Sequence, residues 1–478
     1  MNERNTPWRR LGRLLVLFSA VAWSSWTYCQ DTCRVYFGLL HAHTSYSDGL
    51  GTPEEAFKHA RDKARLHFFA VTEHNHAKAE AGIGNKRPED KERKDGVSIA
   101  NQPELYSGPV TKSLIKAAER LTTDGKFVAL YGQEFSTISS GNHVNVFEVN
   151  TVIDVDNGEY AQLYEEWLTE HKDSLGEPAL VQFNHPDYRA DLENEHTKPS
   201  ERFNDYGFDD YGRDFDKLVL HSSPYVRLIE IISGPALDIG TFNTISSRIR
   251  HEKDYWFYLS KGFKVAPTAG QDNHYRTWGT ITRARTGVWA EALNRKGILS
   301  ALKQRRVFAS EDENLEVKLQ ANDHWMGEVI SAAGPMNLKF SIELRDPDEA
   351  GAEYKVLLYG GSIGGEMVTD PLEEKDLTGD GKVEFDGYRY ESGQVFYFVK
   401  VVQTTGHGED LAWSAPVWIV PSDGLPGAAP AKARYVYSRL SKVYHYPECE
   451  DARRIKLENR VETEAKPEGR RLHQGCPR

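Results

Sequence analysis

Along residues 35–310, short apolar runs alternate with stretches whose apolar positions recur at helical spacing. Residues 35–40, 67–71, 126–131, 179–183, 227–232 and 263–267 read as buried strands, and 143–147 alternates like a half-buried one. Between them, 53–64, 113–121, 160–171, 251–259 and 295–304 predict helices, and 307–310 closes the series as an extended segment. The first helix carries its own start signal. Thr52 stands as N-cap, Pro53 at the first helical position, and Glu54 and Glu55 in the first turn, before a face of Ala56, Phe57, Ala60 and Ala64. Strand–helix alternation of this kind predicts an α/β domain with a largely parallel sheet. Polar residues of metal-binding type follow the first, second, third, fifth and seventh of these strands. A flat sheet would spread those ends along a line, whereas a barrel converges them on one face, so the expected architecture is a barrel of about seven or eight strands.

Near Asn314 the texture changes. Residues 315–319, 336–342, 354–359, 395–402 and 415–420 read as strands separated by Gly, Asp and Pro, with no long helical pattern between them. A small antiparallel β-sandwich over 314–423 is expected. Within it, Asp376, Thr378, Asp380 and Gly381 have the spacing of half a calcium loop, but Gly387 stands where such a loop needs its bidentate Glu, which favours a Gly-rich turn. Residues 424–433 have linker composition, and 434–478 are too few to build a core without a staple. At the other end, Arg4, Arg9, Arg10 and Arg13 precede an apolar run over 14–23 containing the small residues Ser19, Ala20 and Ala22. That layout predicts a secretory signal over 1–28, hence an exported, periplasmic or secreted protein with no transmembrane span in the mature chain.

At 478 residues, 39% apolar and 27% charged, the chain has room for about two or three domains. A net charge of -12 excludes a body that grips nucleic acid through bulk charge. The four cysteines form two distant pairs, Cys29/Cys33 and Cys449/Cys476, which is no disulfide scaffold. Cys29 and Cys33 either bond to each other or are partly lost with the leader.

The chemistry starts at His41 and His43, which share one face at a strand end and suit a metal ion as neutral imidazoles, with Asp48 as a nearby carboxylate. Glu73 and His74, Glu134, His143, His185, and Asp272 with His274 occupy comparable positions after later strands. Any one of them has an ordinary reading as a surface histidine or capping acid. Together they are too many N and O ligands for one ion, and two or three ions sharing bridging carboxylates, with Glu134 and Asp272 as the bridges, fit the set.

Taken in order, His41-Ala-His43 with Ser47-Asp48-Gly49, Thr72-Glu73-His74-Asn75, Glu134 with His143, His185-Pro186 and Asp272-Asn-His274 resemble the successive motifs of the PHP (polymerase and histidinol phosphatase) family. The resemblance implies a distorted (β/α)7 barrel over 33–313. It also implies a trinuclear centre of divalent zinc, manganese or iron that hydrolyses phosphoesters, small or polymeric, by a metal-bridged hydroxide. Carried over by residue, it gives His41, His43, Glu134 and Asp272 one ion and Asp48, His74 and His274 another, with His143, His185 and Glu134 completing the third. Glu73 departs from the family's Thr-Asp-His pattern, which leaves it as ligand or as support. Relatives on this fold also imply carbamate, amide or ester hydrolysis as an alternative, and a binding protein without catalysis is a third. Apart from the resemblance, a multi-metal site suits phosphoryl transfer, and Tyr275 and Arg276 follow the last ligands where a phosphate oxygen would lie.

The tail has its own set, His445-x3-Cys449 and His473-x2-Cys476, a Cys2His2 zinc pattern. It is similar to the small zinc module of Ada-type DNA-repair proteins, although histidines replace two of that module's usual cysteines. A structural zinc is the expectation and a Cys449–Cys476 disulfide the rival. Arg453, Arg454, Lys456, Arg460, Arg470 and Arg471 make the tail basic. A solvated face is the default for them, and contact with an anionic polymer or DNA the weaker expectation.

Overall fold

At the helix start that the sequence signals, Thr52 and Glu55 make a capping box: the Thr52 hydroxyl accepts from Glu55 N, and the Glu55 carboxylate accepts from Thr52 N at 2.8 Å. In this computed structural model, residues 32–476 are described except 77–96, 110, 137–142, 187–210, 212–213, 237–248, 407, 423–434, 440, 447–448, 457–458, 464–466, 468 and 474–475. The leader read at 1–28, Cys29 and the linker at 424–433 lie outside the described residues.

The first part of the chain runs β1 (Arg34–Leu39), α1 (Pro53–Asp62), β2 (Phe68–His74), α2 (Glu104–Ser107), α3 (Leu114–Leu121), β3 (Val128–Phe135) and β4 (Val144–Phe147). Then come α4 (Tyr160–Gln162), a π-helical segment (Leu163–Trp167), α5 (Leu168–Glu170), β5 (Leu180–Phe183), α6 (Phe215–Ser222) and β6 (Val226–Ser233). It ends with β7 (Ile249–Arg250), α7 (Glu252–Ser260), β8 (Ala266–Ala269), β9 (Arg285–Ala290), α8 (Arg295–Lys303) and β10 (Val307–Ser310). The sheet order is β10-β9-β1-β2-β3-β4-β5-β6, with β7 and β8 both on β6. Strands β2 and β3 are buried at every position, as strands covered on both faces must be. Leu40, Ala70, Leu130, Leu228 and Ala266 form part of one core, while Phe57, Phe69, Ala117 and Leu259 pack in a second on the helix side.

This is a mixed α/β sheet, and the expected largely parallel, closed barrel is not what the ladders draw. β1/β2, β2/β3, β5/β6 and β6/β8 are parallel, but β3/β4, β4/β5, β1/β9 and β9/β10 are antiparallel. β4 follows β3 with no helix described between them, and β9, absent from the sequence reading, inserts between β1 and β10. No ladder joins β8 to β9, so the sheet is open there. At that seam Thr286 Oγ1 accepts from Ala269 N at 2.9 Å and donates to Ala269 O at 3.0 Å, so a side chain stands where ladder bonds would.

The second part holds β11 (Glu316–Ala321), β12 (His324–Trp325), β13 (Val329–Ala332), β14 (Met336–Arg345) and β15 (Glu353–Ser362). It continues with β16 (Glu373–Thr378), β17 (Gly381–Tyr390), β18 (Val395–Thr405), β19 (Gly408–Ser414) and β20 (Val417–Pro421). One sheet is β12-β11-β14-β17. The other extends the first sheet, because β19 pairs antiparallel with β10 at Phe308↔Ser414. Gly379, at φ +69, turns the chain from β16 in one sheet to β17 in the other, and Asp376 lies in a ladder opposite Lys355. The tail is a small sheet of β21 (Tyr435–Ser438), β22 (Val443–His445), β23 (Arg460–Thr463) and β24 (Arg471–Leu472), with α9 (Glu450–Arg453) beside it. Its buried cluster is Val436, Cys449, Ala452 and Cys476, so two of its core side chains are thiols. Among the described residues no helix is long and apolar enough to cross a membrane.

Candidate metal centre

The C-terminal ends of β1, β2, β3, β5 and β8 bring the histidines and acids together. His41 Nε2 lies 3.1 Å from Glu134 Oε1 and 3.2 Å from Asp272 Oδ1. His43 Nε2 lies 3.0 Å from Asp272 Oδ1 and 3.2 Å from Glu134 Oε2. A second group has Asp48 Oδ1 3.2 Å from His274 Nε2 and Asp48 Oδ2 3.7 Å from His74 Nε2, with His43 alongside. In a third, Glu134 Oε2 is 3.0 Å from His74 Nδ1, and Glu134 Oε1 is 3.2 Å from His143 Nδ1 and 3.3 Å from His185 Nε2. Glu134 is thus the point where the groups meet.

The donor set fits divalent cations. Asp48 Oδ1, His74 Nδ1 and Glu134 Oε2 are buried and have no hydrogen-bond partner, although other N and O atoms lie close by. Orphaned acceptors converging on one point are costly unless a cation or a proton lies between them. Metal–ligand bonds of about 2.0–2.2 Å place the ligand atoms of one ion roughly 3–4 Å apart, the spacing found here. Two of the residues are held in unusual backbone: Asp272 at φ +48 and His185 at φ +27. Left-handed non-glycine residues cost on the order of 1–3 kcal/mol and persist where the surroundings impose them.

The carboxylates also bias the protonation of the histidines between them. Burial lowers the pKa of His41, but Glu134, Glu230 and Asp272 outweigh it and hold the imidazole well above its ordinary range. His43, by the same balance against Asp272 and Glu134, is pushed up to about 10. Against the burial that would raise them, Glu134 is held far down by His41, His74 and His143, Asp48 by His274 and His74, and Asp272 by His41 and His274. Burial dominates at His74, which falls to about 3.

Glu73, read from the sequence as ligand or as support, stands beside the centre. It belongs to none of the ligand groups: its carboxylate accepts from Thr44 N at 3.1 Å, from the Thr44 hydroxyl and from the Ser47 hydroxyl. Alternation along β2 is the reason, since His74 faces the centre and the residue before it faces away, toward the loop that carries His43. Burial raises the Glu73 pKa. Arg276 is exposed beside Gly51 and outside the ligand groups, while Tyr275 is buried.

Two features escaped the sequence reading. A relay runs from Thr268 through Gln182 to Asn184, whose amide donates to Glu134 Oε1 at 2.9 Å. Glu230, wholly buried in β6, has Oε1 2.9 Å from His41 Nδ1 and accepts from His185 N at 2.8 Å through Oε2. Its signal was a lone acid inside the apolar run 228–232.

In the tail, the ligand atoms of His445, Cys449, His473 and Cys476 lie within 4.8 Å of one another. Sγ of Cys449 and of Cys476 are 3.5 and 3.4 Å from His445 Nδ1 and 2.6 Å from each other, with no disulfide between them. Cys33, in contrast, is disulfide-bonded. Part of the tail's basic charge is used internally: Arg460 donates to Ala452 O, Arg454 pairs with Asp451 and Arg470 stacks over Tyr437. Tyr446 OH reaches Glu166 Oε1 at 3.4 Å across a cleft lined by Glu159, Gln162, Glu165, Tyr444 and Leu472.

No protein-family model matches the chain, and no curated protein does. Among solved structures it is similar to a two-domain protein containing a predicted PHP-like metal-dependent phosphoesterase from Bacteroides vulgatus ATCC 8482, at 16% identity and a TM-score of 0.36, over 77% of this chain and 91% of that one. It is also similar to the soluble domain of PmoD from Methylocystis sp. ATCC 49242 (Rockwell), at 13% identity and a TM-score of 0.15, over 22% of this chain and 90% of that one. Likenesses at these scores carry no argument about fold or chemistry, which rest on the geometry above.

Proposed function

We propose that the chain is an exported, metal-dependent phosphoesterase of PHP type. On this reading a PHP-type α/β domain spans 33–313, a sandwich follows over 314–423, and a zinc-stapled module ends the chain at 434–478. The observation that carries the reading is a set of three adjoining N/O ligand groups, two of which share Glu134 and the third of which joins them through His43 and His74, with orphaned acceptor atoms between them. His41, His43, Glu134 and Asp272 would hold one ion. Asp48, His74 and His274 would hold a second beside His43, and Glu134, His143 and His185 a third. When bound, such ions supply Lewis acidity toward a phosphoryl oxygen and lower the pKa of water toward neutrality.

The chain's own residues do the remaining work. Glu134 and Asp272 bridge between groups and set their spacing, and Glu73 holds the 44–47 loop so that His43 stays in place. The buried walls around His41 and Glu134 keep bulk water out, which strengthens each electrostatic contact. Arg276, exposed at the rim, binds a phosphate oxygen of the substrate. The disulfide at Cys33 supports export to an oxidising compartment.

The test is metal analysis of the purified protein together with a panel of phosphomonoesters, phosphodiesters, carboxylic esters and carbamates. Phosphoester turnover that is lost with chelator and restored with manganese or zinc supports the reading. Turnover of carbamates or carboxylic esters alone replaces it with the other metallohydrolase. No metal uptake overturns it.

A further inference from the structure

Glu230 is the one buried acid of β6. In the parallel pair β6/β8 it stands opposite Thr268. Leu228 shares its face by alternation and packs in the same core as Leu40 and Ala70, which places Glu230 one layer nearer the strand ends where the ligands gather. A wholly buried carboxylate is costly unless its oxygens are matched. Among the described residues neither oxygen meets a lysine or arginine. One is matched by the ring of His41, the other by the backbone N–H of His185.

The consequences at the two partners are specific. When His41 donates Nδ1–H to a carboxylate, Nε2 is the nitrogen left on the side of Glu134 and Asp272, free to offer its lone pair to an ion held with them. His185 sits at φ +27, a conformation an L residue rarely adopts, and its N–H is tied to the same carboxylate. A third residue answers to Glu230. At Gly270, just past β8, a Cβ would lie 1.8 Å from Glu230 Oε1, so only glycine leaves the carboxylate its place.

We propose that Glu230 is the positioning residue of the centre: one carboxylate that orients His41 from β1 and His185 from β5, with Gly270 as the space that admits it. This rests on the metal-centre reading above. Glu230 touches neither the ion sites' shared carboxylates nor substrate, and it acts through the two histidines.

The experiment uses the full chain loaded with cobalt(II), wild type against Glu230→Gln, with Gly270→Ala as a second route that displaces the carboxylate and keeps its charge. Two quantities are read: the cobalt absorption spectrum, which reports ligand geometry, and the cobalt dissociation constant from chelator competition. Glu148→Gln is the control, because Glu148 is also a buried acid but pairs with Arg295, away from the ligand groups. In Glu230→Gln and Gly270→Ala the spectrum shifts and affinity falls by about 10–100-fold, the usual range for a group supporting a ligating histidine. In Glu148→Gln the melting temperature falls while spectrum and affinity hold. Should Glu230→Gln fail to fold, Glu230→Asp, which withdraws the carboxylate by one methylene, is read in its place. Wild-type spectrum and affinity in the Glu230 and Gly270 variants overturn this inference alone. A wild type that takes up no cobalt overturns the metal-centre reading on which it stands.

Discussion

Strip the protein of metal with chelator, then follow its urea midpoint as pH rises from about 6 to about 10. In that state His43 is fully buried between Asp272 and Glu134. Burial alone would lower its pKa, but those two carboxylates outweigh it and carry it from 6.5 up to about 10. A group whose folded pKa exceeds its unfolded one stabilises fully below the unfolded value, and that contribution disappears as pH climbs through the folded value. The interval from 6.5 to about 10, at about 1.36 kcal/mol per pH unit, sets a ceiling of roughly 5 kcal/mol on the loss. Even ~2 kcal/mol moves a urea midpoint by roughly 0.5–1 M, well within measurement.

Metal-free His43→Gln supplies the baseline, because it keeps every other titrating group. The wild-type midpoint should fall toward that baseline as pH rises, and the two curves should meet near pH 10. Metal-loaded protein should behave in the opposite sense, since ligation needs neutral imidazoles and the stabilisation by metal grows as their protons leave. If metal-free wild type and His43→Gln keep a constant separation over the whole range, the imidazolium–carboxylate account of the empty centre is wrong.

Replacing His41 and His43 together by Ala should remove at least one ion per chain without unfolding the protein, as read by elemental analysis alongside circular dichroism. Asp272→Asn should lower kcat with KM little changed, by several kcal/mol of transition-state stabilisation and roughly 100-fold or more in rate. Arg276→Ala should raise KM for a phosphoester, with a loss of ~1.5–3 kcal/mol, the worth of a charged hydrogen bond. In the tail, Cys449→Ser should abolish binding of one zinc and unfold the module while the first part of the chain keeps its metal. A stoichiometric Cys449–Cys476 bridge in mass spectra of unreduced protein would defeat that last prediction.

Much of the site was legible because its ligands sit in short motifs at strand ends: His41 and His43, His74, Glu134, Asp272 and His274 all follow apolar runs. What was not legible depends on register and facing. Glu73, which adjoins His74, stood open as ligand or support, and alternation turns it to Thr44 and Ser47. Glu230 looked like an ordinary strand residue because its partners, His41 and His185, lie 189 and 45 positions away in sequence. β9 carries a glycine in mid-strand, and Gly287 leaves room for the ring of Phe308, so its pattern lacks the apolar density that marked its neighbours. The helix start at Thr52 was legible, since the N-cap, the proline and the first-turn acids lie within four residues.

The departure from regular strand–helix repetition is what builds the third ligand group. Had a helix separated β3 from β4, β4 would have re-entered from the opposite end of the sheet, with its first residues far from the end of β3. Instead β4 returns antiparallel, pairing Phe135 with Val144 and Glu134 with Asn145, so His143 arrives at the same rim as Glu134. The next antiparallel pair repeats the effect: Val144 stands opposite Phe183, and Asn184 N donates to His143 O at 2.9 Å. That contact sets Asn184 and His185 beside the same carboxylate from the other side. Glu134 therefore receives His143, Asn184 and His185 because two consecutive pairings reverse direction. A sequence reading that counts strands and helices does not see such reversals, because apolar periodicity carries no sign of strand direction.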